Sequence, residues 1–143
     1  MSKITDFVIA ANADKDNKEE FQLGIVGNTQ GQSIASEIGV PSLSGAKKII
    51  SSDGARHAFV NHESKKSESL RGQIGITPAD FDFLADILSN PTSVQRGDLN
   101  HRRNQDIIKF SKNIKGRIYS VLMSISRSKE GTKLFFNTMF IKK

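Results

Sequence analysis

The chain has 143 residues, 36% of them apolar and 25% charged, enough for one hydrophobic core and unlike a wholly disordered polypeptide. With no cysteine it excludes disulfides, thiolate zinc sites and a cysteine nucleophile. No apolar run is long enough to cross a bilayer or to serve as a secretory signal, so no membrane role is expected. The net charge of +6 is unevenly placed: residues 1–99 carry 10 Lys+Arg against 13 Asp+Glu, whereas residues 100–143 carry 11 against 2. Such a basic end attracts polyanions, most simply RNA or DNA, unless its lysines only solvate strand faces.

Along the chain, Phe7-Val8-Ile9 reads as a short strand within a loosely ordered lead-in over 1–20, whose polar stretch 12–20 reads as a loop. A strand is expected over 21–27 and a short helix over 32–38, closed by Gly39. Ile49-Ile50 opens another apolar segment, and Ser51-Ser52-Asp53 offers a cap for a helix over 54–62. Thr77-Pro78-Ala79-Asp80 starts a further helix, with Thr77 as cap, Pro78 in the first position and an apolar stripe of Phe81, Leu84, Ala85 and Leu88.

The last third changes to a period of two, which predicts strands over 106–112, 117–126 and 133–141 joined by short glycine-ended turns. A further strand near 92–95 completes a sheet of about four. The fold class is therefore α+β, with N-terminal helices packed on a C-terminal antiparallel β-meander, and residues 21–143 forming one domain.

Three groups of residues could carry chemistry. His57 and His62 lie five apart on the 54–62 helix, which turns them roughly 140° from one another, so at most one is central to a pocket. An imidazole exchanges protons near neutral pH, and His57, pointing away from the apolar face of Ala55, Ala58 and Phe59, is the leading acid/base candidate, with His62 second. The pair lacks the spacing of a helical zinc site, and Asp80, Asp82 and Asp86 are spread around their helix, so no metal and no cofactor is expected. Arg71 and Gln73 alternate in an extended stretch and suit a phosphate or a base edge. Thr138 places a hydroxyl on the strand face expected for Leu134, Phe136 and Phe140, either bonded locally or aimed into a cleft. Arg102 and Arg103 in the loop before the meander, and Lys109 within it, are candidate backbone contacts, and Tyr119 is the one aromatic hydroxyl near the sheet. Together these suit a metal-free ribonuclease. The alternatives are a non-catalytic basic RNA- or DNA-binding module and an ADP-ribosyltransferase-like effector.

Ser51-Ser52 through Arg56-His57, His62, Glu68-x-x-Arg71-Gly72-Gln73, Ile76-Thr77-x-x-Asp80-Phe81, Asn90-Pro91 and Asn137-Thr138-Met139 together resemble the phage-associated branch of the barnase, EndoU, colicin tRNase and RelE nuclease superfamily. The resemblance runs from about Phe21 to the end. It implies a toxin-like, metal-independent endoribonuclease acting on RNA, tRNA among the candidates, by attack of a 2′-hydroxyl to leave a 2′,3′-cyclic phosphate. His57, His62, Arg71 and Thr138 would then be catalytic, and Gln73, Arg102, Arg103 and Lys109 would bind substrate. A bacterial cytoplasm, reached in some cases by phage delivery, is the implied place of action. An acidic antitoxin or immunity protein is the implied partner.

Overall fold

The computed structural model describes residues 3–62, 73–74, 76–96 and 106–142, with the side chains at 59–62 and 73–74 outside the description. Among the described residues, four helices and a 3-10 turn accompany a mixed sheet: α1 Lys3–Ala13, β1 Glu20–Ile25, α2 Asn28–Ile38, β2 Lys47–Ser51, α3 Ser52–His62, β3 Gln73–Ile74, the 3-10 turn Pro78–Phe83, α4 Leu84–Ser89, β4 Ser93–Arg96, β5 Ile107–Ile114, β6 Arg117–Ser128 and β7 Gly131–Lys142. The strand order is β1-β2-β7-β6-β5-β4, and the two-residue β3 pairs with β7 off that path.

The expected meander is present as β4 to β7, each neighbour antiparallel. Lys115 and Gly116 both have positive φ between β5 and β6, the geometry of a two-residue hairpin turn whose twist matches the strands. The sheet is larger than the four strands expected. Residues 47–51 add β2 parallel to β7, and β1 pairs antiparallel with β2 at the edge. A parallel neighbour joined through distant sequence leaves no hairpin signal, and Lys47-Lys48 hides the apolar pattern of this short strand.

The expected strand at Phe7–Ile9 is instead the middle of α1, where Val8 and Ala11 are fully buried. Ile4, Phe7, Val8 and Ala11 recur at helical spacing, a wider pattern than the three-residue apolar run. Arg56 of α3 fixes the end of this helix: its guanidinium donates to the carbonyls of Ala11, Asp14 and Asn17, each at 2.9 Å, and pairs with Asp53.

The helix predicted after Thr77 begins as a 3-10 turn closed by a reciprocal cap, in which the Thr77 amide donates to Asp80 Oδ2 at 2.8 Å. Phe81, Leu84 and Leu88 are buried as expected, but Ala85 is exposed and Ile87 fills the stripe, because the tighter first turn rotates the face that follows.

These elements share one core against one face of the sheet. Phe81 meets Phe136 at 5.7 Å between ring centroids, and Phe83 meets Tyr119 edge-on at 5.3 Å. α3 approaches β7 so closely that a Cβ on Gly54 would stand 2.9 Å from the Phe136 carbonyl oxygen. Val121, Met123, Leu134 and Met139 complete this buried face. Each large apolar side chain removed from water there contributes roughly 1.5–3 kcal/mol before entropy is charged against it.

Candidate functional site

Directly opposed residues of neighbouring strands project to the same side of a sheet. Tyr119, Val121, Met123 and Ile125 of β6 face the helices, so Ser120, Leu122 and Ser124 belong to the other side, here called the far face. The register continues this assignment across the meander. One row on the far face runs Gln95, Lys109, Leu122, Thr138, and the next runs Ser93, Ser111, Ser120, Phe140.

Thr138 reaches that face through a β-bulge. Leu122 opposes Thr138 while the next residue, Met123, opposes Phe136, which leaves Asn137 as the extra residue. Phe136 and Met139 thereby both stay on the helix side, fully or nearly fully buried, while Asn137 accepts a 2.8 Å hydrogen bond from Ser124 Oγ on the far side. The expectation that Thr138 shares a face with Leu134 and Phe136 is corrected by this extra residue, since strict alternation cannot anticipate a bulge. The shared face with Phe140 holds.

Among the described residues, Thr138 Oγ1 is the buried side-chain oxygen or nitrogen that lacks a hydrogen-bond partner. Such an atom costs stability and calls for a reason. In its row stands Lys109, whose ammonium lies over the Phe140 ring, 5.7 Å from the centroid, and Lys142 takes the same distance from that ring. Ser111 and Ser120 hydroxyls meet at 3.2 Å in the adjoining row. Gln73 of β3 opposes Lys142 in register, which brings that strand to the same end of β7. On the β4 to β7 part of this face the described side chains are hydroxyls, amides, lysines and apolar groups, with neither carboxylate nor imidazole.

Of the other predicted positions, His57 and Tyr119 lie away from this face. His57 is exposed on α3, on the helix-bearing side, and the sheet separates it from Thr138 and Lys109. His62 ends α3, four and seven positions after Ala58 and Ala55, which are both fully buried. Arg71, Arg102 and Arg103 lie outside the described residues. Tyr119 is not available for proton transfer at the far face. It is 4% exposed in the core, donates a 2.9 Å hydrogen bond to Asp80 Oδ1, and has its pKa pushed up to about 12 by burial first and by the Asp80 carboxylate second. Asp80 thus ties the 3-10 turn to β6 as well as capping it.

Two further features resist a phosphate-binding role. A groove of about 810 Å³ opens between α2 and the β4 edge, but its one charged lining residue, Glu37, has the wrong sign for a phosphodiester. Lys48 is 5% exposed and has its pKa lowered by burial. It opposes Leu134 and so belongs to the helix side. Among the described residues no three His, Cys, Asp or Glu side chains could hold a metal together, and no helix is long and apolar enough to cross a membrane.

The described residues thus form an α+β domain with helices on one face of a bulged antiparallel meander and, on the other, Lys109 and Lys142 without a carboxylate partner among the described residues, beside the Thr138 hydroxyl. The particular family follows from comparison: residues 24–143 match the model of phage-Barnase-EndoU-ColicinE5/D-RelE like nuclease3, and the chain belongs to that nuclease family. No curated protein and no solved structure matches it.

Proposed function

We propose that the protein is a metal-independent, toxin-like endoribonuclease whose substrate lies on the far face of the meander, within a single nuclease domain spanning residues 21–143. The observation that carries this reading is the partnerless Thr138 oxygen in one row with Lys109, on a nuclease-family fold. Lys109 would stabilise the charge that grows on the phosphoryl oxygens, and Thr138 would donate to one of them. That oxygen is covered in the free protein, so the reading includes a side-chain displacement over Thr138 as substrate arrives.

The chemistry is attack of a ribose 2′-hydroxyl on the adjacent phosphorus. The bond to the 5′-oxygen breaks, and a 2′,3′-cyclic phosphate and a free 5′-hydroxyl result. Proton transfer needs a titratable group that the described far face does not supply. We assign it to His62 in preference to His57. His62 is the last residue of α3, five positions nearer in sequence than His57 to β3, whose Gln73 pairs with Lys142 of β7, and Arg71 precedes Gln73 by two residues. Arg71 and Gln73 would then complete the phosphate contacts, and Arg102 and Arg103 would hold flanking backbone.

Among the described residues the far face offers cations and hydroxyls rather than the carboxylate oxygens that a catalytic magnesium or manganese ion prefers, which favours a metal-free reaction. The implied setting is a bacterial cytoplasm, with an acidic inhibitor as cognate partner. Incubating the protein with end-labelled tRNA in EDTA tests the reading. Fragments ending in 2′,3′-cyclic phosphate are expected. RNA that is retarded in a gel yet stays intact would leave a binding module in its place.

A further inference from the structure

We propose that Lys109, Phe140 and Lys142 form a two-phosphate clamp, in which the Phe140 ring holds both ammonium groups ready to grip two phosphates of a single polynucleotide strand. This rests on the nuclease reading and extends it: Lys142 becomes a second substrate contact, and Phe140 a positioning residue.

Both ammonium groups lie 5.7 Å from the centroid of one ring, so they are at most about 11 Å apart, close enough to serve nearby phosphates of one strand. The register explains the convergence. Lys109 belongs to the Thr138 row, Lys142 stands opposite Ile118, and Phe140 sits in the row between them on the same face. Strand neighbours two positions apart on a face are within reach of long side chains.

The ring attracts an ammonium electrostatically without neutralising it. That distinguishes these lysines from the other two on β5 and β7. Lys112 reaches Asp86 Oδ2 at 3.3 Å and the Asn90 carbonyl at 2.8 Å, and Lys133 faces Glu130 at 4.0 Å. Lys109 and Lys142 have no carboxylate partner among the described residues. A lysine tethered to a ring has already lost much of its side-chain freedom, yet keeps its full charge for an incoming anion. Phosphate oxygens, carrying a formal charge, would draw both ammonium groups off the ring.

The test is fluorescence anisotropy of the full chain with a short fluorescein-labelled oligodeoxythymidine over a series of salt concentrations. Lacking 2′-hydroxyls, this probe reads binding without turnover. Each phosphate contact on a single strand contributes about 0.7 to the slope of log affinity against log salt, so Lys109→Gln and Lys142→Gln should each flatten it by about that amount. Phe140→Leu keeps both charges and so the slope, but should weaken binding by roughly threefold to tenfold at every salt concentration through lost pre-organisation, and Phe140→Trp should restore the affinity. An unaltered slope in Lys142→Gln overturns the clamp, as does a Phe140→Trp protein that behaves like Phe140→Leu. Cleavage of RNA by wild type, measured alongside, separates the two claims. Flattened slopes with uncut RNA retain the clamp and discard the nuclease reading, whereas cut RNA with unchanged slopes discards the clamp alone.

Discussion

Lys109 of β5 and Thr138 of β7 stand in one cross-strand row, separated by Leu122 of β6, on the sheet face away from the helices. The bulge at Asn137 makes this arrangement: without an extra residue in β7, alternation from Phe136 would turn Thr138 towards the helices.

Thr138→Val should separate stability from activity. Valine keeps the shape and removes a buried hydroxyl that has no partner, so urea denaturation should show an equal or slightly higher midpoint, by up to about 1 kcal/mol. RNA cleavage should fall by about 10²-fold or more if the oxygen donates to the phosphoryl group. A hydroxyl with only a local structural role would leave the rate unchanged.

Tyr119 is the chain's sole tyrosine and there is no tryptophan, so tyrosinate absorbance reports on it alone. Its folded pKa of about 12 exceeds the ordinary value of 10.0, because burial and then Asp80 favour the neutral phenol. A raised pKa stabilises the fold fully below the unfolded value and loses that contribution as pH climbs through the folded one. Stability should therefore fall between about pH 10 and 12, and Asp80→Asn should bring the absorbance midpoint down. A native midpoint equal to that in urea would contradict the packing described for β6.

Lys48 is buried opposite Leu134 with no ion pair among the described residues, and burial lowers its pKa. Gly24, at φ +148, leaves room beside its stem, where a Cβ would stand 3.4 Å from Lys48 Cε. Lys48→Met keeps the stem and removes the desolvated charge, so the melting temperature should rise by a few degrees at neutral pH, an effect on the order of 1 kcal/mol. The gain should shrink as pH rises towards the free lysine value of 10.5, where the unfolded wild type also loses its proton. A lower melting temperature would mean that the ammonium has a stabilising partner.

Much of this fold was legible in the residues, for identifiable reasons. The alternation of β5 to β7 and the Thr77–Asp80 cap are local signals, and local geometry obeyed them. The parallel pairing of β2 with β7 joins segments more than eighty positions apart and leaves no turn to read. α1 was hidden because Phe7-Val8-Ile9 mimics a strand until Ile4 and Ala11 are included. At the proposed site, Lys109 and Thr138 stand out in the sequence as polar interruptions of apolar strands, but the bulge that turns Thr138 to the far face leaves no such signal. Lys142 carried no expectation, although a lysine two positions from Phe140 in a strand is a sequence-level hint of a shared face.

Gly31→Ala offers a check on the helix layer. A Cβ there would lie 2.3 Å from the Ser44 backbone nitrogen and 2.6 Å from its Cα, atoms that cannot swing aside. Overpacking of this kind costs roughly 1–3 kcal/mol, opposite in sign to the usual benefit of alanine in a helix. Chemical denaturation should show the loss, and a stabilised variant would mean that α2 does not meet the 42–46 loop as closely as described.

The central claim, that catalysis belongs to the far face, is tested most directly by the initial rates at which Lys109→Ala and His57→Ala cut one labelled RNA in EDTA. Loss of a preorganised charge at the reacting phosphate should slow Lys109→Ala by about 10²-fold or more, while His57→Ala stays near the wild-type rate. An inactive, folded His57→Ala protein beside a fully active Lys109→Ala protein would move the site to the helix-bearing side and contradict the assignment.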